Sequence, residues 1–206
     1  MKLIRHTNYI YEYQNFVSDD ACDTIVSLIE SSNINDTIWN AGRNPSRNNS
    51  VINLTQIKTV PGWTDDQTLN NIHSADSISH KIFSQAYLEY LKDCPRLSFI
   101  MLRQGITNFG SAYYYRTYDK KDYYDWHIDH DLKEENLLSF LWYLNDDYSG
   151  GKLLFMNDKI SIQPKKGSLI CFPVGHYWIH KSSPIKSGKK KVIWTCFFKD
   201  REVKNV

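Results

Sequence analysis

The stretch YDWHIDHD, Tyr124 to Asp131, places two histidines and three carboxylates in eight residues. On a strand, residues two apart project to the same side. His127 and Asp129 therefore aim an imidazole and a carboxylate at a common point, and His130 is expected to face away. A surface ion pair would read the same way, so a third ligand has to come from elsewhere. His176 and His180, downstream in FPVGHYWIHKSSPIKSGKKK, are the candidates. Two histidines and one carboxylate on one face of an octahedron leave three positions open, as in non-haem Fe(II) oxygenases. For either downstream histidine the competing reading is a hydrogen-bonded loop or rim residue.

Such groups need a rigid frame. From Leu97 onward the chain is a series of short β-branched and aromatic runs: LSFIML, SAYYYRTY, LLSFLWYL, GKLLFM, KISIQP, SLICFPV and KVIWTCFF. Gly, Pro, Asp or Lys clusters separate them, which is the pattern of a sandwich or barrel. Two helices precede them. Ser18 is placed to cap the first, with Asp19 and Asp20 at its positive end and Cys22, Ile25, Val26 and Ile29 on one face. The second is expected after Thr64, where T-x-x-Q reads as a capping box, with Ile78, Ile82, Phe83, Ala86 and Tyr90 forming its apolar face. The expectation is a mainly β fold with N-terminal helices: a jelly roll (double-stranded β-helix, cupin-like) buttressed by α-helices, whose mouth holds a ligand. Residues 1–206 read as one domain, with 1–96 as helical support and polar loop and 97–200 as the jelly-roll core. The polar segment 33–66 carries one short strand candidate, SVINLTQI. It reads as a surface loop, or as a lid or groove in which Trp39, Arg43 and Arg47 would meet a peptide.

The composition narrows the partners. The 206 residues carry 25 basic and 23 acidic side chains, a formal net charge of +2, which offers no basic stripe for nucleic acid and no attraction to an anionic membrane. No apolar run is long enough to span a bilayer, and the start MKLIRHTNYIYEY is too short in apolar character for a signal peptide. Cys22, Cys94, Cys171 and Cys196 form no CxxC pair and read as reduced core residues of a cytoplasmic protein.

Four ordered blocks carry a specific resemblance. Tyr118 stands nine residues before His127, followed by YLNDDYSGGKLLF (Tyr143 to Phe155), PKKGSLICFP (Pro164 to Pro173) and HKSSPIKSGKK (His180 to Lys190). This series resembles the 2-oxoglutarate- and Fe(II)-dependent dioxygenase superfamily, most of all its prolyl 4-hydroxylase-like branch, and NFVSDDACDTIVSLIESS resembles that branch's first helix. The resemblance implies Fe(II) held by His127, Asp129 and His180. It favours His180 over His176 because Pro184, Gly188 and Lys190 then fall at the family's offsets. 2-Oxoglutarate would chelate the metal beside a site for O2 and be converted to succinate and CO2 as an unactivated C–H is hydroxylated. The favoured substrate is a prolyl residue in a peptide or protein, or free proline.

The far carboxylate of the cosubstrate needs a fixed cation, and the resemblance assigns Lys190. Alternation on the last strand puts Lys190, Val192, Trp194 and Cys196 on one face, with Lys189 and Lys191 pointing outward. Tyr143 and Tyr118 are the implied hydroxyl partners of the cosubstrate, Tyr143 ahead of Tyr118; a core tyrosine satisfied by backbone is the alternative for each. Arg116 and Tyr114 share the face of Tyr118. A guanidinium inside the barrel mouth is costly unless it meets an anion or an acid, so Arg116 is a candidate substrate contact, together with Tyr114, Trp194 and His176. Two positions depart from the family pattern: Lys121 where a glycine is usual between the paired tyrosines, and Lys152 where an acid often follows the double glycine. Two other classes fit the same barrel, a cupin-like metalloprotein with redox-silent chemistry and a non-catalytic binding module. The first leaves Lys190 and Tyr143 without a purpose, and the intact ligands and cosubstrate lysine count against the second.

Overall fold

In a computed structural model, residues 1–34, 46–56, 65–98, 106–110, 112–129, 136–156 and 159–199 are described, 106–110 and 198–199 for the backbone only. Helix α1 (Asp19–Glu30) starts where expected, with Ser18 accepting a hydrogen bond from the Ala21 amide, and buries Cys22, Ile25 and Ile29. Helix α2 (Asp66–Asp93) is one continuous rod capped by Asp65 rather than Thr64. The Asp65 carboxylate accepts from the Thr68 amide at 2.5 Å and from the Thr68 hydroxyl at 2.8 Å, a stronger cap than a threonine hydroxyl supplies. Among the described residues no helix is long and apolar enough to cross a membrane.

Fifteen strands are described. The larger sheet runs β1 (Lys2–Arg5), β2 (Tyr11–Gln14), β12 (Leu169–Pro173), β8 (Asn136–Tyr143), β15 (Lys190–Lys199), β6 (Tyr114–Tyr118) and β4 (Ser50–Asn53), with β5 (Ile106–Gly110) also paired to β15. The smaller sheet runs β11 (Ile160–Ile162), β10 (Leu153–Phe155), β13 (His180–Ser182), β7 (Tyr123–His127) and β3 (Arg47–Asn48). Strands β9 (Ser149–Gly150) and β14 (Ile185–Ser187) form a separate ladder. All pairings are antiparallel, as in a jelly roll.

Alternation divides β8 and β15 between two cores. Phe140, Trp142, Ile193 and Phe197 pack with α1 and α2 residues such as Ile25, Ile29, Phe83 and Tyr90 on the outer face. Leu141, Tyr143 and Val192 join Leu153, Phe155 and Ile162 of the smaller sheet in the inner core. The helices thus fix the larger sheet from behind, and the chamber lies between the sheets.

Two expectations about the frame change. The first 96 residues contribute four strands: β1 and β2 extend the edge beside β12, β4 covers β6, and β3 pairs with β7. The candidate SVINLTQI supplies β4, as expected; β1, β2 and β3 are short segments of mixed polarity with no alternation strong enough to mark them, and pairing with other strands supplies their stability. The strand expected at LSFIML begins in helix instead, since residues 95–98 are helical; the remainder lies outside the described residues.

Candidate metal centre and active site

Strand β7 ends at His127, so strand alternation does not place Asp129. The residue lies just past the strand and is positioned by contacts. Asn136 Nδ2 donates to the Asp129 carbonyl at 2.9 Å, and Ser139 Oγ donates to Oδ2 at 2.6 Å. Trp194 Nε1 reaches both Ser139 Oγ, at 2.9 Å, and Asp129 Oδ2, at 3.3 Å. His180 arrives on β13, directly opposite His127 in the ladder. The result is a cluster of three ligand atoms within 4.8 Å of one another. His127 Nε2 is 3.5 Å from Asp129 Oδ1, and His180 Nε2 is 3.5 Å from Oδ2.

The orientation of both rings is fixed from behind. His127 Nδ1 lies 2.7 Å from the Asp125 carbonyl, and His180 Nδ1 lies 3.0 Å from the Trp178 carbonyl. A carbonyl only accepts, so each Nδ1 carries the proton and each Nε2 offers its lone pair to the shared point. The Tyr124 ring stacks on His127 at 3.5 Å between centroids and 8° between planes, which limits the ring's rotation. Phe155 and Phe172 flank His180 at 5.6 and 4.9 Å.

Electrostatics favour a cation here. Burial opposes the Asp129 charge, but His180, His127 and the Ser139 hydrogen bond outweigh it and hold the carboxyl well below the usual range. Burial pushes His180 down to about 4, keeping it neutral and able to ligate at physiological pH. Two imidazole nitrogens and one ionised carboxylate converging on a point suit a divalent iron with its remaining positions open.

A second feature lies on the larger sheet. Lys190 is 2 % exposed. Its Nζ donates to Ser182 Oγ in a short hydrogen bond and to the Gly151 carbonyl at 3.4 Å, and sits 4.0 Å from the Tyr118 ring centroid. Among the described residues no carboxylate pairs with it. Burial, then the Arg116 charge, push its pKa down to about 7. A buried ammonium held by neutral oxygens is a receptor for an anion, which fits the far carboxylate of 2-oxoglutarate. Tyr143 lines the same core, buried, with no described hydrogen bond to its hydroxyl, and burial raises its pKa well above the usual tyrosine value. Tyr118 pairs with Lys190 across β6 and β15, as Tyr114 pairs with Trp194.

The structure thus brings together His127, Asp129, His180, Lys190, Tyr118, Tyr143, Tyr114, Arg116 and Trp194. His176 stands apart, exposed on a single 3-10 turn (His176–Trp178). Lys189 and Lys191 face outward onto Asp119 and Glu30. His130, Trp39 and Arg43 lie outside the described residues. Sequence reasoning missed Ser139, Ser182 and the stacking role of Tyr124. Ser182 follows His180 by two and Ser139 precedes Tyr143 by four, so face alternation was the available signal for both. The departure at Lys121 has a backbone meaning: its φ is +76°, the left-handed conformation a glycine adopts without cost.

Residues 112–199 match the family described as the 2OG-Fe(II) oxygenase superfamily. The matched segment is similar to this superfamily and contains His127, Asp129, His180 and Lys190; the match and the His–Asp–His cluster support a 2-oxoglutarate-dependent Fe(II) dioxygenase, with Fe(II) and 2-oxoglutarate as metal and cosubstrate. The fold is similar to that of prolyl 4-hydroxylases. A viral collagen prolyl hydroxylase from Paramecium Bursaria Chlorella virus-1, solved as its 2OG complex, matches with TM-score 0.60 at 21% identity, covering 93% of this chain and 97% of that one. A Pseudomonas putida prolyl-4-hydroxylase matches with TM-score 0.63 at 15% identity, covering 94% of each. A Trichoplax adhaerens prolyl hydroxylase, in complex with a hypoxia inducible factor oxygen degradation domain peptide fragment, matches with TM-score 0.60 at 16% identity, covering 94% and 84%. No curated protein sequence matches the chain significantly.

Proposed function

We propose that this protein hydroxylates an unactivated C–H of a prolyl residue in a peptide or protein. His127, Asp129 and His180 hold the iron. Lys190, Ser182 and Tyr143 bind the far carboxylate of 2-oxoglutarate, with Tyr118 packing beneath the ammonium. The observation that carries the reading is the pairing of a His–Asp–His cluster with a buried, anion-free lysine in one chamber. When bound, iron and cosubstrate supply the oxidative step: O2 is consumed, 2-oxoglutarate becomes succinate and CO2, and one oxygen atom enters the substrate as hydroxyl. The chain's own residues do the rest. The carbonyls behind His127 and His180 fix their tautomers, Ser139 and Trp194 hold the Asp129 carboxylate, and the aromatic lining excludes bulk water.

The likeness in fold to prolyl hydroxylases, one of them holding a peptide, supports a peptide substrate. Four free, buried cysteines support a reducing, cytoplasmic setting. The test is succinate release with proline-containing peptides, with mass spectrometry of the peptide. A gain of one oxygen on proline, abolished in His180→Ala, is expected. Succinate release that no proline peptide accelerates, with no oxygen added to any of them, overturns the prolyl assignment.

A further inference from the structure

Arg116 is 5 % exposed, on the chamber face of β6 opposite Val192. Its guanidinium carbon lies 4.5 Å from the Trp194 ring centroid and 5.4 Å from that of Tyr124. Those rings bracket the metal cluster: Trp194 touches Asp129, and Tyr124 stacks on His127. Arg116 Nε is buried with no hydrogen-bond partner. The polar contact that bears on the guanidinium is the Tyr118 hydroxyl. Arg47, half-buried on β3, brings a second guanidinium to within 5.7 Å of the same Tyr124 ring, and its Nε is likewise buried and unpartnered. Asp129 is the carboxylate whose charge reaches Arg116, and it is already shared by His127 and His180.

Charge balance shows what these arginines lack. Fe(II) and Lys190 together carry three positive charges. Asp129 and the two carboxylates of 2-oxoglutarate carry three negative ones. With metal and cosubstrate in place, Arg116 has no counter-charge in the chamber, and Arg47 adds to the excess. A planar guanidinium held between aromatic rings, with its Nε–H unsatisfied, suits the oxygens of a carboxylate.

We infer that Arg116, assisted by Arg47, is a specificity-determining anion subsite beside the metal, and that the substrate carries a carboxylate close to the carbon that is oxidised. This rests on the oxygenase reading above and narrows its substrate class. The carboxylate has two sources: the α-carboxylate of a free or C-terminal residue, or an acidic side chain next to the target residue within a peptide.

The experiment measures binding to protein loaded with Mn(II) and 2-oxoglutarate, using intrinsic tryptophan fluorescence and calorimetry. The probes are L-proline against L-prolinamide, and blocked proline peptides with an adjacent glutamate against the same peptides with glutamine. At least one acidic probe is expected to bind roughly tenfold or more tighter than its neutral partner, the scale of one charge-assisted contact. The proline pair responding identifies an α-carboxylate, and the peptide pair an acidic side chain. Arg116→Gln is expected to abolish the acid preference, and Arg116→Lys to restore part of it. 2-Oxoglutarate affinity is held or improves in Arg116→Gln, because removing a neighbouring cation favours protonated Lys190. Equal binding of acidic and neutral probes overturns the inference, as does an acid preference that survives Arg116→Gln. A loss of 2-oxoglutarate binding in that variant also overturns it, by assigning the arginine to the cosubstrate. Failure of the oxygenase reading is distinct: the unsubstituted protein would then bind no Mn(II) or 2-oxoglutarate at all.

Discussion

Lys190 ties cosubstrate binding to pH. In the free site its pKa is pushed down to about 7, first by burial and then by Arg116. A carboxylate salt-bridged to Nζ restores the charged form, so the bound state has a raised pKa. Between those two values binding takes up a proton. Affinity for 2-oxoglutarate is then flat below about pH 7 and falls about tenfold per pH unit above it, to about a hundredfold by pH 9. The assay is calorimetry with Mn(II)-loaded protein in buffers of different ionisation enthalpy, which gives both Kd and the proton count. About 0.9 proton should be taken up per 2-oxoglutarate at pH 8. Lys190→Arg remains charged throughout and should lose the slope. Lys190→Met removes the charge-assisted bond and should weaken binding about 10- to 100-fold at pH 7. Stability of the ligand-free chain carries the same signature. The folded pKa is depressed, so the unfolded chain binds more protons between pH 7 and 10.5, and stability rises with pH across that window. A Kd constant from pH 7 to 9 with no proton uptake would refute the reasoning.

Further outcomes follow from the contacts around the site. Ser139→Ala removes the 2.6 Å donor to Asp129 Oδ2 and one partner of Trp194. Metal affinity by equilibrium dialysis should fall about tenfold or more, with little change in melting temperature. Lys121→Gly relieves a left-handed backbone at an exposed turn, and denaturant unfolding should show a gain of about 0.5–1 kcal/mol. His180 is held neutral by burial, with a folded pKa of about 4 against the ordinary histidine value of 6.5. The unfolded chain therefore binds more protons between those values, and metal-free stability should rise with pH from 4 to 6.5. His180→Gln should flatten that limb of the curve.

The legible parts of this fold were those that periodicity encodes. The 3.6-residue pattern of Cys22, Ile25 and Ile29 located α1, and the apolar runs SAYYYRTY, LLSFLWYL, SLICFPV and KVIWTCFF became β6, β8, β12 and β15. The face shared by Lys190, Val192 and Trp194 follows from alternation and is set by pairing with Tyr118, Arg116 and Tyr114. What stayed hidden depends on partners far along the chain. Strands β1 and β2 are strands because β12 accepts their edge, and a four-residue segment such as KLIR carries no such information alone. Asp129 illustrates the same limit inside the site. Its spacing from His127 was visible, but the strand stops at His127, and Ser139, Trp194 and Asn136 aim the carboxylate from another sheet.

The most direct test of the central claim is anaerobic titration of the protein with Fe(II) and then 2-oxoglutarate, followed by visible absorption. Chelation of iron by the cosubstrate produces a metal-to-ligand charge-transfer band. The account predicts a band in the unsubstituted protein that is lost in His180→Ala, weakened in Lys190→Met and unchanged in His176→Ala. A band that survives His180→Ala, or the absence of any band in the unsubstituted protein, would contradict it.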